Sequence, residues 1–523
     1  MAPKAKTILV NGKKLPPEQV KGKAGADEAK KAATMTKEEW TNLQKGMKEK
    51  WPQPAYLTQR ADDRPHTMYM DETYQVVTRW MAQTKIQYRP HAKSPGSKSH
   101  IRYEKYSKAK TVGQALALGS WPADWCWDYE RGFIKVLGPV RDEPLDPVTV
   151  EDEKDLTDVD KAIYGWYVKE LAKKFGFSVK DLYANSSSGE SAIMRAHRLH
   201  AQNLAKTALI AAYTEGRRVT DAEVTRCLEA WGFARNSNRT NVNPEGRDWV
   251  WSDNIGLTRD RLGSIHITKA TTRYPEFTSL INKWLTDRLP AEFQEFKFTS
   301  LNLNKNYAAK LHRDGNNFGP SMIAAFGNFT GGELNYWADD AKQVKLESLN
   351  PKSPEHFQIG NGLALFNGNS AHSVNKFEGQ RYSVVYFTSG CHAKLVPEDK
   401  AILEDLGMNY PPPDVDEFAL IRKPMGYDGK GIALKPTGVD AKKPACKFWS
   451  RDALEKQKFK GRKMTANELK EWKERFQKLS QKAFVLRRPT DASKHVTTPP
   501  KKRGIEMVGE SGVKRRRKAA AGA

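Results

Sequence analysis

The sequence predicts an α+β protein, with a helix-rich N-terminal half leading into an antiparallel sandwich or barrel, and three observations predict it. Between residues about 150 and 235, apolar side chains return at intervals of three and four. Between about 236 and 395 the pattern changes to short β-rich runs separated by Gly and Asn. The excess positive charge lies at the two ends of the chain. A period near 3.6 marks a one-sided helix and a period of 2 a one-sided strand. At 523 residues the chain exceeds the size at which a single core stops growing, so several folded units are expected.

Residues 1–60 are Lys/Ala-rich and read as a basic disordered tail, with one short helix opened by the capping box Thr36-x-x-Glu39. Residues 65–147 form a small aromatic-rich α/β unit around "SHIRYEKYSKAKTVGQALALGSWPADWCWDYERGFIKV". Trp121, Trp125, Trp127 and Tyr129 beside its basic stretch have two readings, a base-stacking surface or a small-domain core. The core reading is preferred, because tryptophans in so short a unit must pack somewhere. Residues 150–235 are helical, in "DKAIYGWYVKELAKKFG", "SAIMRAHRLHAQNLAKTALIAAYTEG" and "TDAEVTRCLEAWG". His197 and His200 share a helix face without a third ligand nearby, so they read as exposed helix residues. Residues 236–395 form the β-rich domain, residues 396–440 an extension, and residues 441–523 a basic tail with one helix opened by Thr465-x-x-Glu468.

Charge and cysteine usage bound the class. Of the net +25, residues 1–50 hold +6 and residues 441–523 hold +17, leaving about +2 for the body. Basic tails of this kind are drawn to nucleic acid by counterion release. Lys501–Arg503 and Lys514–Lys518, separated by a ten-residue spacer, have the form of a bipartite nuclear-localisation signal, implying a nuclear protein and an import receptor as partner. The four cysteines lack C-x-x-C pairing, which points away from a disulfide framework or cysteine zinc site. No apolar run is long enough for a membrane helix and the first residues lack the apolar core of a secretory signal, so no membrane partner is expected.

The chemistry concentrates in the β-rich domain. "FKFTSLNLN" reads as a strand and is followed by "HRD", which brings His312 and Asp314 together at a turn. "SMIAAFGNF" and "GELNYW" read as strands joined through the hairpin signal Thr330-Gly331-Gly332. "LALFN", "HSVNKF" and "RYSVVYFTS" follow, the last two joined by Glu378-Gly379-Gln380. His372 opens one strand, 60 residues past His312, and Arg381 opens the next. Two imidazoles and one carboxylate suit octahedral non-haem Fe(II) with open positions for a 2-oxo acid and dioxygen. Arg381 offers a planar, permanently charged fork for the far carboxylate of such a co-substrate. Period-2 geometry places Ser383, Val385 and Phe387 on its face, Ser383 as a hydrogen-bond donor and the others as a dry wall. His266, His356 and His392 read as ordinary core or surface residues.

This order, H-x-D, then His, then "RYS", with "FTGGEL" between, resembles the Fe(II)/2-oxoglutarate dioxygenase superfamily over residues 297–390. The resemblance implies a double-stranded β-helix (jelly-roll) catalytic core. It implies metal-binding and catalytic roles for His312, Asp314 and His372, and binding of the 2-oxoglutarate C5 carboxylate by Arg381 and Ser383. By the same resemblance Tyr307, on the strand before the metal motif, is expected to reach the co-substrate, and Asn316 and Asn317 to face the substrate. "HRDGNNFGPSMIAAFGNFTGGEL" is similar to the TET and base-J-type thymine hydroxylases and shares features with prolyl-hydroxylase-like members. The function this implies is a nuclear dioxygenase that uses Fe(II), 2-oxoglutarate and O2. Its preferred substrate is a nucleic-acid base: the methyl of thymine or methylcytosine, or an alkylated base. A protein hydroxylase and a non-catalytic chromatin-binding protein are the alternatives.

Overall fold

The computed structural model describes residues 8–10, 13–15, 35–58, 69–145, 156–183, 190–412 and 447–482, less 245, 261–262, 290–292, 339, 341–343 and 352–353. The localisation motif at Lys501–Lys518 lies outside the described residues. Helix α1 (Lys37–Lys45) starts at the expected capping box, with Thr36 Oγ1 accepting from the Glu39 amide and the Glu39 carboxylate from the Thr36 amide. It is docked: Trp40 Nε1 and Gln44 Nε2 both donate to the His91 carbonyl, at 2.7 and 3.0 Å.

The aromatic-rich unit contains α2 (Asp71–Val77), β1 (Lys85–Tyr88), α3 (Lys98–Tyr106), α4 (Val112–Ala117), α5 (Pro122–Glu130) and β2 (Ile134–Gly138). Strands β1 and β2 pair antiparallel. Trp80, Trp125, Tyr103, Tyr106 and Val112 are fully buried in its core. The aromatic run therefore divides. Trp125 is core, with Nε1 satisfied by Ser120 Oγ at 2.8 Å, whereas Trp121 and Trp127 are 58% and 41% exposed.

The helical segment forms α6 (Asp158–Phe175), α7 (Ala192–Glu215) and α8 (Asp221–Ala230). The first two end where Gly176 and Gly216 take left-handed φ values of 74° and 68°, a conformation glycine adopts without a Cβ clash. His197 and His200 are half-buried rather than exposed: both pack on Phe175, His200 stacked at 4.1 Å.

The β-rich segment supplies β3 (Arg235–Asn236), β4 (Val250–Arg259), β5 (Ile265–Ile267), β6 (Ser300–Lys305), β7 (Asn317–Gly331), β8 (Leu334–Tyr336), β9 (Glu355–Phe357), β10 (Gly362–Phe366), β11 (His372–Val374) and β12 (Phe377–Ser389). The larger antiparallel sheet runs β13–β10–β7–β12–β6–β4–β3, with β5 on β4; β13 is Lys447–Ser450. The smaller runs β9–β8–β11. Alternation gives the larger sheet two faces. Met322, Ala324, Phe326, Tyr382, Val384 and Tyr386 pack with Phe277, Leu280 and Trp284 of α9 (Pro275–Thr286). Ile323, Ala325, Ala364 and Phe366 on the other face pack against Leu334 and Tyr336 of the smaller sheet. Among the described residues no helix is long and apolar enough to cross a membrane.

Four local expectations are corrected. Gly331 and Gly332, at φ 77° and 73°, do not close a hairpin: β7 and β8 lie in different sheets, and the pair carries the chain from one to the other. Glu378-Gly379-Gln380 is likewise no turn, but part of β12, so Arg381 sits inside that strand rather than at its start. Tyr307 follows β6 rather than lying on it, beyond Asn306 at φ 51°. Finally, residues 447–482 belong to the folded body instead of the basic tail. Strand β13 edges the larger sheet, and helix α10 (Ala466–Lys482) buries Trp472, Phe476 and Leu479 in the main core.

Candidate active site

The two histidines approach because the chain after β6 runs back alongside β11. The amide of each donates to the carbonyl of the other at 3.0 Å. Each imidazole is oriented by a carbonyl two residues upstream, Lys310 O at 2.7 Å from His312 Nδ1 and Ser370 O at 2.9 Å from His372 Nδ1. A carbonyl only accepts, so Nδ1 carries the proton and Nε2 keeps its lone pair for a metal. The ligand atoms of His312, Asp314 and His372 lie within 4.8 Å of one another, the group of metal-binding type found among the described residues. Burial, then the neighbouring His372, push His312 down to about 4, which keeps it neutral. Asn317 Nδ2 donates to one Asp314 oxygen at 3.0 Å, and the other lies 3.7 Å from His312 Nε2.

Asp340 ties the two ligand segments together. Its carboxylate takes a two-pronged contact from Arg313, the residue between His312 and Asp314, at 2.6 Å for each arm. It also accepts the Ala371 amide, next to His372, at 2.6 Å. Sequence reasoning misses this residue, because a loop aspartate 27 positions beyond its partner has no periodic signature.

Arg381 is 2% exposed and lies between the Phe329 and Phe377 rings, each 5.6 Å away. Its Nε has no hydrogen-bond partner among the described residues, and Nη2 has only a 3.5 Å contact to the Gly332 carbonyl. Burial lowers its pKa to about 10, so at neutral pH it is charged; Glu333 acts on it at a distance, and among the described residues no carboxylate forms an ion pair with it. Ser383, Val385 and Phe387 share its face, and all four line one cavity with Tyr307, His312, Asp314 and His372. The cavity measures about 180 Å³.

One side of its wall is built of amides and hydroxyls. Asn304 Oδ1 accepts from Tyr307 Oη at 2.6 Å and Ser252 Oγ at 3.0 Å, while its Nδ2 donates to Ser383 Oγ at 3.3 Å. Ser383 is thereby used as an acceptor, and its own hydrogen is left to donate into the cavity. Asn317 lines the cavity; Asn316 is exposed and uses its carbonyl to accept the Gly390 amide. Asn302, Asn254 and Arg239 also line it, unanticipated from the sequence, although "SLNLNK" carries the signal. Leu301 and Leu303 face the core, and Asn302 and Asn304 face the cavity. Away from this site, His356 bonds Asn335 Oδ1 at 2.5 Å and His392 is buried 4.4 Å from Phe318.

No protein-family model and no curated protein matches the chain. Solved structures do. One, NgTET1 in complex with 5mC DNA, aligns with a TM-score of 0.20 at 20% identity, over 32% of this chain and 67% of that one. Another, an oxidoreductase of the 2OG-Fe(II) oxygenase family from Burkholderia pseudomallei, aligns with a TM-score of 0.22 at 15% identity, over 36% of this chain and 88% of that one.

Proposed function

We propose that this chain is an Fe(II)- and 2-oxoglutarate-dependent dioxygenase that hydroxylates a C–H bond, and that its two-sheet core is a double-stranded β-helix. One observation carries the reading: a cavity that holds a His-Asp-His ligand set also holds a buried guanidinium with an unpaired N–H. A buried cation without a counter-charge is costly, and an anionic ligand removes that cost. Two neutral imidazoles and one carboxylate fit Fe(II) with positions left open. His312, Asp314 and His372 would hold the metal. Arg381 and Ser383 would hold the remote carboxylate of 2-oxoglutarate, with Tyr307 fixing Asn304 beside them. When bound, the metal and keto acid supply activation of dioxygen coupled to decarboxylation to succinate. The protein's part is to orient both ligands and, through Val385, Phe387 and Phe366, to keep the cavity dry.

For the substrate we infer a nucleic-acid base and for the location the nucleus. The support is charge: residues 483–523 carry 11 Lys/Arg against 3 Asp/Glu, including the two basic clusters. Residues 447–482 add 12 against 5 to the folded body, which makes the body more basic than a division at residue 441 implies. The test supplies Fe(II), 2-oxoglutarate and O2, measures succinate, and follows oligonucleotides and peptides by mass spectrometry. Succinate with an oxidised base is expected. An oxidised peptide with unmodified DNA and RNA would make the chain a protein hydroxylase, and no succinate in any arm would remove the enzymatic reading.

A further inference from the structure

The surplus charge of residues 447–482 is unevenly spread: five of its Lys/Arg fall within Lys456–Lys463, "KQKFKGRK". This stretch leaves the short helix Arg451–Glu455 and runs without helix or strand to Thr465, which caps α10. It is held from beneath. Arg218 donates to the Glu455 carbonyl at 2.8 Å and to the Gln457 carbonyl at 2.6 Å, and its guanidinium lies 4.9 Å from the centre of the Phe459 ring. A Cβ on Gly461 would strike the Gly216 carbonyl, and the Met464 amide donates to the Tyr213 carbonyl at 2.9 Å. Gln457, Phe459 and Gly461 thus lie against the body, and alternation turns Lys456, Lys458, Lys460 and Arg462 outward, all exposed. Arg462 is paired with Glu468, whereas Lys456, Lys458, Lys460 and Lys463 form no ion pair among the described residues. The carboxylates nearby are largely spent: Glu455 is held by Arg288, Asp287 by Lys283 and Glu468 by Arg462, which leaves Glu471.

We propose that Lys456–Lys463 is a phosphate-tracking strip on the folded body, which holds one strand of nucleic acid by its backbone and without regard to base. It takes its partner from the nucleic-acid reading above and rests on it, but none of its residues lines the His-Asp-His cavity and it needs neither metal nor 2-oxoglutarate. In an extended chain alternate residues stand about 6.6 Å apart. Successive phosphates of one strand follow each other at a comparable interval, so a row of alternating cations meets them one by one. Such contacts fix the register of a strand and carry no sequence information. A lipid surface calls for apolar side chains beside the cations, and the one large apolar side chain here, Phe459, is half-buried under Arg218. Because the backbone is already pinned by Arg218, Gly216 and Tyr213, little ordering is left to be done when a strand arrives.

The full-length, metal-free protein is titrated by fluorescence anisotropy with a mixed-sequence single-stranded oligonucleotide over a series of salt concentrations. The variant carries Lys456→Gln, Lys458→Gln and Lys460→Gln, exposed positions whose side chains hold nothing in the fold. Its slope of log affinity against log salt should be shallower by about 2, three contacts at about 0.7 each on a single strand. A control with Lys98→Gln, Lys105→Gln and Lys110→Gln removes the same charge from exposed sites on the aromatic-rich unit and should keep the wild-type slope. The basic tails are present throughout, so equal losses from the two triples would mean that total charge alone is read, and would overturn the strip. Lysine acetylation followed by mass spectrometry gives a local readout: bound oligonucleotide should shield Lys456, Lys458, Lys460 and Lys463 and leave Lys98 and Lys105 reactive. Shielding by phosphatidylserine vesicles or by polyglutamate, with none by the oligonucleotide, overturns the proposal as well. Mass spectrometry of the bases keeps the two readings apart. An oxidised base without shielding refutes the strip alone, while shielding in a chain that oxidises peptides and no base supports the strip and refutes the base as substrate.

Discussion

Replacing Arg381 by Met should stabilise the ligand-free protein while abolishing its response to 2-oxoglutarate. Arg381 is 2% exposed, and burial lowers its pKa from 12.5 to about 10. A shift of that size, at about 1.4 kcal/mol per unit, corresponds to a penalty of roughly 3 kcal/mol for keeping the charge buried. The sign follows from linkage: the folded state disfavours the cation, so the penalty is fully present below the folded pKa of about 10 and lost only as pH rises toward the unfolded value of 12.5. Comparison at pH 7 therefore captures all of it. Two effects oppose the gain. The Phe329 and Phe377 rings attract the guanidinium, by about 0.5–1 kcal/mol each. Met also fills the space less completely, a cost of up to about 1 kcal/mol. A net gain of about 1 kcal/mol remains, readable as a higher urea midpoint at unchanged slope. In the same titration 2-oxoglutarate with Mn(II) should raise the wild-type midpoint and leave Arg381→Met where it was. A variant destabilised by 2 kcal/mol or more, and still stabilised by 2-oxoglutarate, would refute the reasoning, because the guanidinium would then be paired within the fold.

Three further outcomes are expected. Asp340→Asn loses the two-pronged hold on Arg313 and should weaken Co(II) binding by roughly tenfold in calorimetry, while full affinity would show that the ligand segments hold their own positions. Gly332→Ala puts a Cβ 2.9 Å from Arg381 Nε on a backbone at φ 73°, so the 2-oxoglutarate requirement should rise with metal affinity intact; an unchanged requirement would separate Gly332 from the co-substrate. The His312 pKa lies below its unfolded value, so its neutral form favours the fold above about pH 6.5, and that contribution fades as pH falls toward 4. Metal-free wild type should thus lose stability over this interval more steeply than His312→Gln, and parallel acid profiles would contradict the burial of His312.

The sequence displays the local part of this arrangement. Arg381, Ser383, Val385 and Phe387 share a face because a strand alternates, and "HRD" after a strand-like run places two donor groups at a turn. Contacts made between sheets are not displayed. Gly331-Gly332 has the composition of a hairpin, and only the pairing of β8 with β9 and β11 shows that the chain changes sheets there. Asp340 meets Arg313 and Ala371 through tertiary proximity that no spacing encodes. Composition also misleads. The Lys/Arg content of residues 447–482 masks Trp472, Phe476 and Leu479, which recur at four and three and cover the main core. Likewise "TSLINKWL" carries a helical period within a segment whose Gly and Asn content reads as β-rich.

The central claim is that one cavity binds Fe(II) through His312, Asp314 and His372 and 2-oxoglutarate through Arg381, with the keto acid reaching the metal. Its most direct test is the visible charge-transfer absorption that arises only when a 2-oxo acid chelates Fe(II), recorded under strict exclusion of oxygen on the full-length protein. The band should appear with both components, vanish in His312→Ala and in Asp314→Ala, and need far more 2-oxoglutarate in Arg381→Lys, whose single ammonium cannot make a two-pronged contact. A protein that binds Fe(II) yet shows no such band at saturating 2-oxoglutarate would contradict the account.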